Sequence, residues 1–100
     1  MARIEFAPEV AEDLARIIDH LRESEAVDLE SRVRAIIDAV DVLQSNPCIG
    51  RPAGEALREL VIGRDAHGYV ALYLYLPELD LVLVLAVRGQ REAGYARGGA

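Results

Sequence analysis

Arginine supplies every basic side chain of this 100-residue sequence: there are eleven arginines and no lysine. Arg51, Arg58, Arg88 and Arg91 fall in the second half, in or beside apolar segments, with Tyr95 following and His67 in a glycine-flanked turn. Such a set could form a cationic, aromatic patch that grips a charged partner. In its strongest form the patch would cleave RNA through the 2′-hydroxyl. That chemistry needs a proton acceptor, a donor for the leaving oxygen and cations for the phosphate charge. Arginine supplies the charge but cannot be the base, because its pKa exceeds about 12. The base would then be His67, a carboxylate such as Glu92, or a tyrosine, and Arg88, Arg91, His67 and Tyr95 form the candidate catalytic set. Blander readings stand beside it: a turn histidine is more often only solvent-exposed, Arg64 reads as a turn charge, and Arg88 can simply end a strand beside an acid. The sequence by itself therefore assigns no catalytic residue.

Other chemistries lack their residues. No His/Cys/acid cluster has metal-ligand spacing, and neither a Ser-His-Asp set nor a dinucleotide fingerprint is present, so no metal or cofactor is expected. Cys48 is the single cysteine; it reads as a small hydrophobe, and the absence of an intrachain disulfide fits a reducing cytoplasm. The start, MARIEFAPEV, lacks a signal peptide's apolar run. The longest apolar runs are seven residues (81–87) or, counting tyrosine, eight (69–76), far short of the roughly 20 a membrane span needs. Net charge is −6, and it is uneven: residues 1–47 carry five arginines against eleven acids, whereas residues 48–100 balance. A chain that lived by neutralising phosphates should be basic, so broad nucleic-acid binding is disfavoured.

The elements that must position these residues follow from periodicity. ARIEF (2–6) alternates as a short strand. Pro8, with Glu9, Glu12 and Asp13, suits a helix start, and Val10, Leu14, Ile17, Ile18 and Leu21 give 8–23 an apolar stripe. Asp28 is a candidate N-cap for a second helix carrying Leu29, Val33, Ile36, Ile37, Val40 and Leu43 to about Gln44. The acids of both helices read as a solvated face. SNPCIGRPAG (45–54) is too rich in turn residues for regular structure. ALRELVI (56–62), YVALYLYL (69–76) and LVLVLAVR (81–88), joined by short polar turns, read as an antiparallel meander. The result is one α+β domain spanning 1–100, a two-helix hairpin on one face of a small, mainly antiparallel sheet in the order β-α-α-β-β-β.

One helix pair covers one face. Along 69–76, Val70, Leu72, Leu74 and Leu76 point one way, and Tyr69, Ala71, Tyr73 and Tyr75 the other; periodicity does not say which set meets the helices. Neither is polar, and 81–87 does not alternate either. An apolar patch of several hundred Å² commonly marks an interaction surface. A tail folded back or a homodimer would also cover it.

NPCIGRP, LRELVIG, GYVALY and VLAVRGQREAGY, in this order and over nearly the whole chain, resemble the RelE/ParE family of type II toxin–antitoxin toxins. The resemblance implies a cytoplasmic bacterial growth inhibitor of the plasmid-stabilisation kind, neutralised by a cognate antitoxin whose C-terminal segment wraps it, as a dimer or a heterotetramer with that antitoxin. It implies antitoxin contacts at Tyr69, Tyr73, Leu74 and Tyr75, and target contacts at Arg51, Arg58, Arg88, Arg91 and Tyr95. ParE-like members bind and poison DNA gyrase; RelE-like members cleave messenger RNA on the ribosome. Two departures weigh against the nuclease: Gly89 stands where an Arg-His-Gln ending carries histidine, and Leu74 where an arginine is common. The ParE-like reading is favoured, with the endonuclease, or an inactive relative kept as an antitoxin-binding module, as alternatives.

Overall fold

A computed structural model describes residues 1–23, 28–63 and 68–90. Among them are five strands: β1 (Arg3–Phe6), β2 (Arg51–Pro52), β3 (Leu57–Ile62), β4 (Tyr69–Leu76) and β5 (Leu81–Gly89). They form one sheet in the spatial order β1-β5-β4-β3-β2. Helix α1 (Glu9–Glu23) follows β1, and helix α2 (Leu29–Asp41) runs into a 3-10 turn, Val42–Gln44. The expected α+β order is present with one strand more. Arg51–Pro52 lies inside the stretch read as irregular, pairing antiparallel with Glu59 and Arg58. It stays short because Pro52 has no N–H to extend a ladder.

β3, β4 and β5 are the antiparallel meander. Between the last two, Asp80 takes a left-handed conformation (φ 46°) and its N–H donates to the Pro77 carbonyl. β1 returns parallel to β5, pairing Arg3 with Leu81 and Phe6 with Val84. Asp28 does not cap α2 as expected: it sits at φ 61° and ψ 43°, and its side chain makes no cap hydrogen bond. A capping residue normally holds extended angles that carry its oxygen over the first turn, and the left-handed conformation does not.

The helices bury Val10, Ile17, Leu21, Ile36 and Val40, with Leu43, against Ile62, Ala71, Tyr73, Val82, Val84 and Val87. The tyrosine set of β4 is therefore the one that meets the helices. Buried tyrosine needs a partner for its hydroxyl, and Tyr73 has one, since the Gly50 N–H donates to its Oη at 2.9 Å; the half-buried Tyr75 donates its Oη to Asp80 Oδ1 at 3.1 Å. The aliphatic set, which needs no partner, is left for the opposite face.

Asp13 corrects the reading of a wholly solvated acidic helix face. It is 1 % exposed, and its Oδ2 accepts the Val87 N–H at 3.0 Å. Arg16 donates to Asp13 Oδ1 at 3.0 Å and to the Val87 carbonyl at 3.2 Å. β1 has ended at Phe6, so among the described residues this part of the β5 edge has no strand beside it. Two α1 side chains bind the Val87 backbone in its place, answering the need of buried peptide groups for partners.

β5 also carries an irregularity. Tyr73 pairs with Val84 but Leu72 pairs with Ala86, so Leu85 is an extra residue on the β5 side. A bulge of this kind shifts the strand's phase by one residue. Val82 and Val84 face the helices before it and Val87 after it. Arg88 is thereby moved from the helix side to the open face.

Candidate functional site

The face turned away from the helices has two ends. At one, β3 contributes Leu57, β4 Leu74 and Leu76, and β5 Leu81 and Leu83, aligned in register as Leu57–Leu74–Leu83 and Leu76–Leu81. Leu57, Leu74, Leu76 and Leu83 are half-buried, and no described helix lies over them. At the other, Val70, Leu72 and Ala86 are buried. Here Arg88, opposite Val70, stretches its side chain across β4 toward Glu59 on β3. The bare aliphatic area is thus narrower than two non-alternating strands imply.

Glu59 is the centre of the polar end. Its Oε1 accepts from Arg51 Nε at 3.1 Å, and its Oε2 lies 3.9 Å from Arg88 Nη2. The Glu59 and Arg88 side chains are 15 % and 16 % exposed, that of Arg51 59 %. The three reach one face from β3, β5 and β2. Arg58 stands on the opposite face, where Nη1 donates to the Cys48 and Gly50 carbonyls at 3.1 and 2.7 Å. Together with Tyr73 it fixes the 45–50 loop. Burial, the largest influence, pushes the Tyr73 phenol above its ordinary pKa of 10.0, against the hydrogen bond from Gly50 and the charge of Arg58. The Tyr75 phenol is raised first by its hydrogen bond to Asp80.

Gly50 is the residue that admits this arrangement. A Cβ there would stand 2.7 Å from Tyr73 Cε1 and Oη and 2.8 Å from the Glu59 carbonyl. Side chain and backbone can approach only because that position is empty.

The expected target-binding arginines are thus divided: Arg51 and Arg88 meet at Glu59, and Arg58 serves the loop. Arg91 and Tyr95, with the candidate acids and bases His67 and Glu92, lie outside the described residues, as does Arg64. Of the expected antitoxin contacts, only Leu74 is on the open face. Tyr73 is fully buried, and Tyr69 and Tyr75 pack half-buried against the helix-side core. Sequence reasoning read Gly50 as structural, together with Pro47 and Pro52, but missed Glu59 and the buried role of Asp13. The signal for Glu59 was the opposite charge of Arg51 across a hairpin read as a loop. Among the described residues no group of His, Cys, Asp and Glu could hold a metal ion, and no helix is long and apolar enough to cross a membrane.

The family model described as ParE toxin of the type II toxin–antitoxin system parDE matches residues 4–94. The chain belongs to this toxin family. The ParE-family chain is also 26 % identical over 92 residues to Toxin RelE3 of Caulobacter vibrioides, covering 92 % of this chain and 98 % of the relative. Its fold matches a chain in the crystal structure of the intact E. coli RelBE toxin–antitoxin complex, with TM-score 0.61, 16 % identity and coverage of 92 % of this chain and 99 % of that one. A metal-bound toxin from Helicobacter pylori matches at TM-score 0.51 and 12 % identity, covering 94 % of this chain and all of that one. The ParE-family toxin thus has the α+β architecture that its β-α-α-β-β-β pattern implied.

Proposed function

We propose that this toxin acts in the cytoplasm by binding a protein target, DNA gyrase, and that a cognate antitoxin neutralises it by covering the aliphatic end of the open sheet face. The observation that carries the binding reading is the state of the described arginines: Arg51 and Arg88 meet a carboxylate of the chain itself, and Arg58 meets its own loop carbonyls. A ribonuclease needs such cations aimed at a phosphate where charge develops. The antitoxin reading is supported by Leu57, Leu74, Leu76 and Leu83, a half-buried aliphatic row of the sort that marks interaction surfaces.

Expression without antitoxin tests the target. The expected outcome is a DNA-damage response with filamentation, together with inhibition of purified gyrase. Rapid translation arrest with messages cut at ribosomes, lost on Arg88→Ala, would instead assign the endonuclease activity. Absence of any toxicity would leave an inactive antitoxin-binding module. Capture of the toxin by its antitoxin should fail after Leu83→Glu and persist after a change at the exposed Ile49.

A further inference from the structure

The 45–50 loop exposes apolar residues where loop tips are ordinarily polar. Ile49 is 58 % exposed, and Cys48 before it is exposed too. The Ile49 N–H donates to the Asn46 carbonyl, and the Asn46 N–H to that of Val42, another exposed aliphatic, so one hydrogen-bonded stretch carries all three. A single exposed aliphatic is ordinary, but this one stands on a buttress. Arg58 donates to the Cys48 and Gly50 carbonyls, on either side of Ile49, at 3.1 and 2.7 Å. The Gly50 N–H donates to the buried Tyr73 hydroxyl at 2.9 Å, and a Cβ at position 50 would collide with that ring. Buried groups thus fix a loop whose tip meets water.

We propose that Ile49 is the anchor by which the toxin grips its protein target, and that Arg58 is a positioning residue for that contact, acting through the loop it holds. The anchor rests on the reading of the toxin as a protein-binding inhibitor and gives that contact a place. A few well-held side chains carry most of the affinity between proteins, and holding them in advance removes the cost of ordering them. The target must then offer an apolar pocket with a carboxylate at its rim for Arg51, which is two residues along and 59 % exposed. A second copy of the chain does not fit, because a two-fold contact here sets like patches together and with them two Arg51 guanidinium groups. A single-stranded nucleic acid fits no better, since this tip has no aromatic ring on which bases stack. Leu57 of the aliphatic row accepts the Ala53 N–H just beyond β2, so an antitoxin over that row stands next to a target held at the loop.

The test measures growth arrest on expression without antitoxin and, with the purified full chain, inhibition of gyrase supercoiling. Ile49→Ser and Ile49→Asn should each weaken inhibition by more than about tenfold, as loss of an interface anchor does, with melting unchanged. Ile49→Leu should keep it. Ile37→Ser, at an exposed aliphatic of α2, should change neither readout. Arg58→Gln should weaken inhibition as well, and adding it to Ile49→Ser should remove little more, because both act through one contact. If the wild type inhibits gyrase and a folded Ile49→Ser chain inhibits it equally, the anchor is overturned and the gyrase reading stands. The anchor is equally overturned if Ile37→Ser loses as much, or if Arg58→Gln takes its full effect on top of Ile49→Ser. Growth arrest that vanishes with Ile49→Ser, while gyrase is untouched by the wild type, keeps the anchor and removes gyrase as the target.

Discussion

Replacing Gly50 by alanine inserts one methyl group where there is no space. The new Cβ would lie 2.7 Å from two atoms of the Tyr73 ring and 2.8 Å from the Glu59 carbonyl oxygen, against an ordinary carbon contact of about 3.5–4.0 Å. Tyr73 cannot swing away, because it is 0 % exposed and packed among core residues, and the Glu59 carbonyl belongs to a paired strand. The loop must retreat instead, which stretches the Gly50 N–H bond to Tyr73 Oη. Overpacking costs about 1–3 kcal/mol and the weakened hydrogen bond about 1 kcal/mol, so Gly50→Ala should destabilise by about 2–4 kcal/mol. At about 4–8 °C per kcal/mol for a domain of this size, the melting temperature should fall by about 10 °C or more. Tyr73→Phe removes one of the clashing atoms, so the double variant should be less damaged than the two single changes summed. The assay is urea unfolding of the four proteins in a double-mutant cycle. A Gly50→Ala protein melting within about 2 °C of the wild type, or strict additivity with Tyr73→Phe, would refute the close-approach argument.

Other outcomes follow from the same structure. Tyr73 has a raised pKa in the native state, so the unfolded chain releases its proton first. The stability this contributes is complete below pH 10 and is lost as pH rises through the native value; Tyr73→Phe should flatten the alkaline limb of the unfolding curve, and tyrosinate absorbance should show a late-titrating phenol. Asp13→Ala leaves the Val87 N–H and the Arg16 guanidinium without their carboxylate and should cost about 3 kcal/mol, with faster hydrogen exchange at the Val87 amide as the site-specific reading. Leu83→Glu, on the half-buried open face, should lower antitoxin affinity by at least about tenfold while lowering stability by only about 1 kcal/mol; calorimetric binding and melting separate the two.

The amphipathic periods of 8–23 and 28–44 and the bounds of β4 were legible because helix and strand spacing register burial directly. What escaped was set by contacts between distant segments. The row of β4 that faces inward depended on where Tyr73 and Tyr75 could find hydroxyl partners, at Gly50 and Asp80, and periodicity carries no such information. The phase of Arg88 depended on a bulge in an all-aliphatic run, where no polar residue marks the slip. Asp13 looked like one acid among many on a helix; only the missing neighbour of β5 beyond Phe6 gives it work. The arginine-rich motif of the second half was visible at once, but its neutralisation was not, since Arg51, Glu59 and Arg88 meet only after three strands align.

The parallel pairing of Arg3 with Leu81 has a consequence for biogenesis. The strand made first has its neighbour in the strand made last, and that last strand sits between β1 and β4. During translation α1 has no platform until β5 leaves the ribosome, and closure of so long a loop is a slow, late event. The sheet therefore closes only after β5 has been made. Until then the nascent chain displays the greasy stripes of its helices, open to any companion that can shield them.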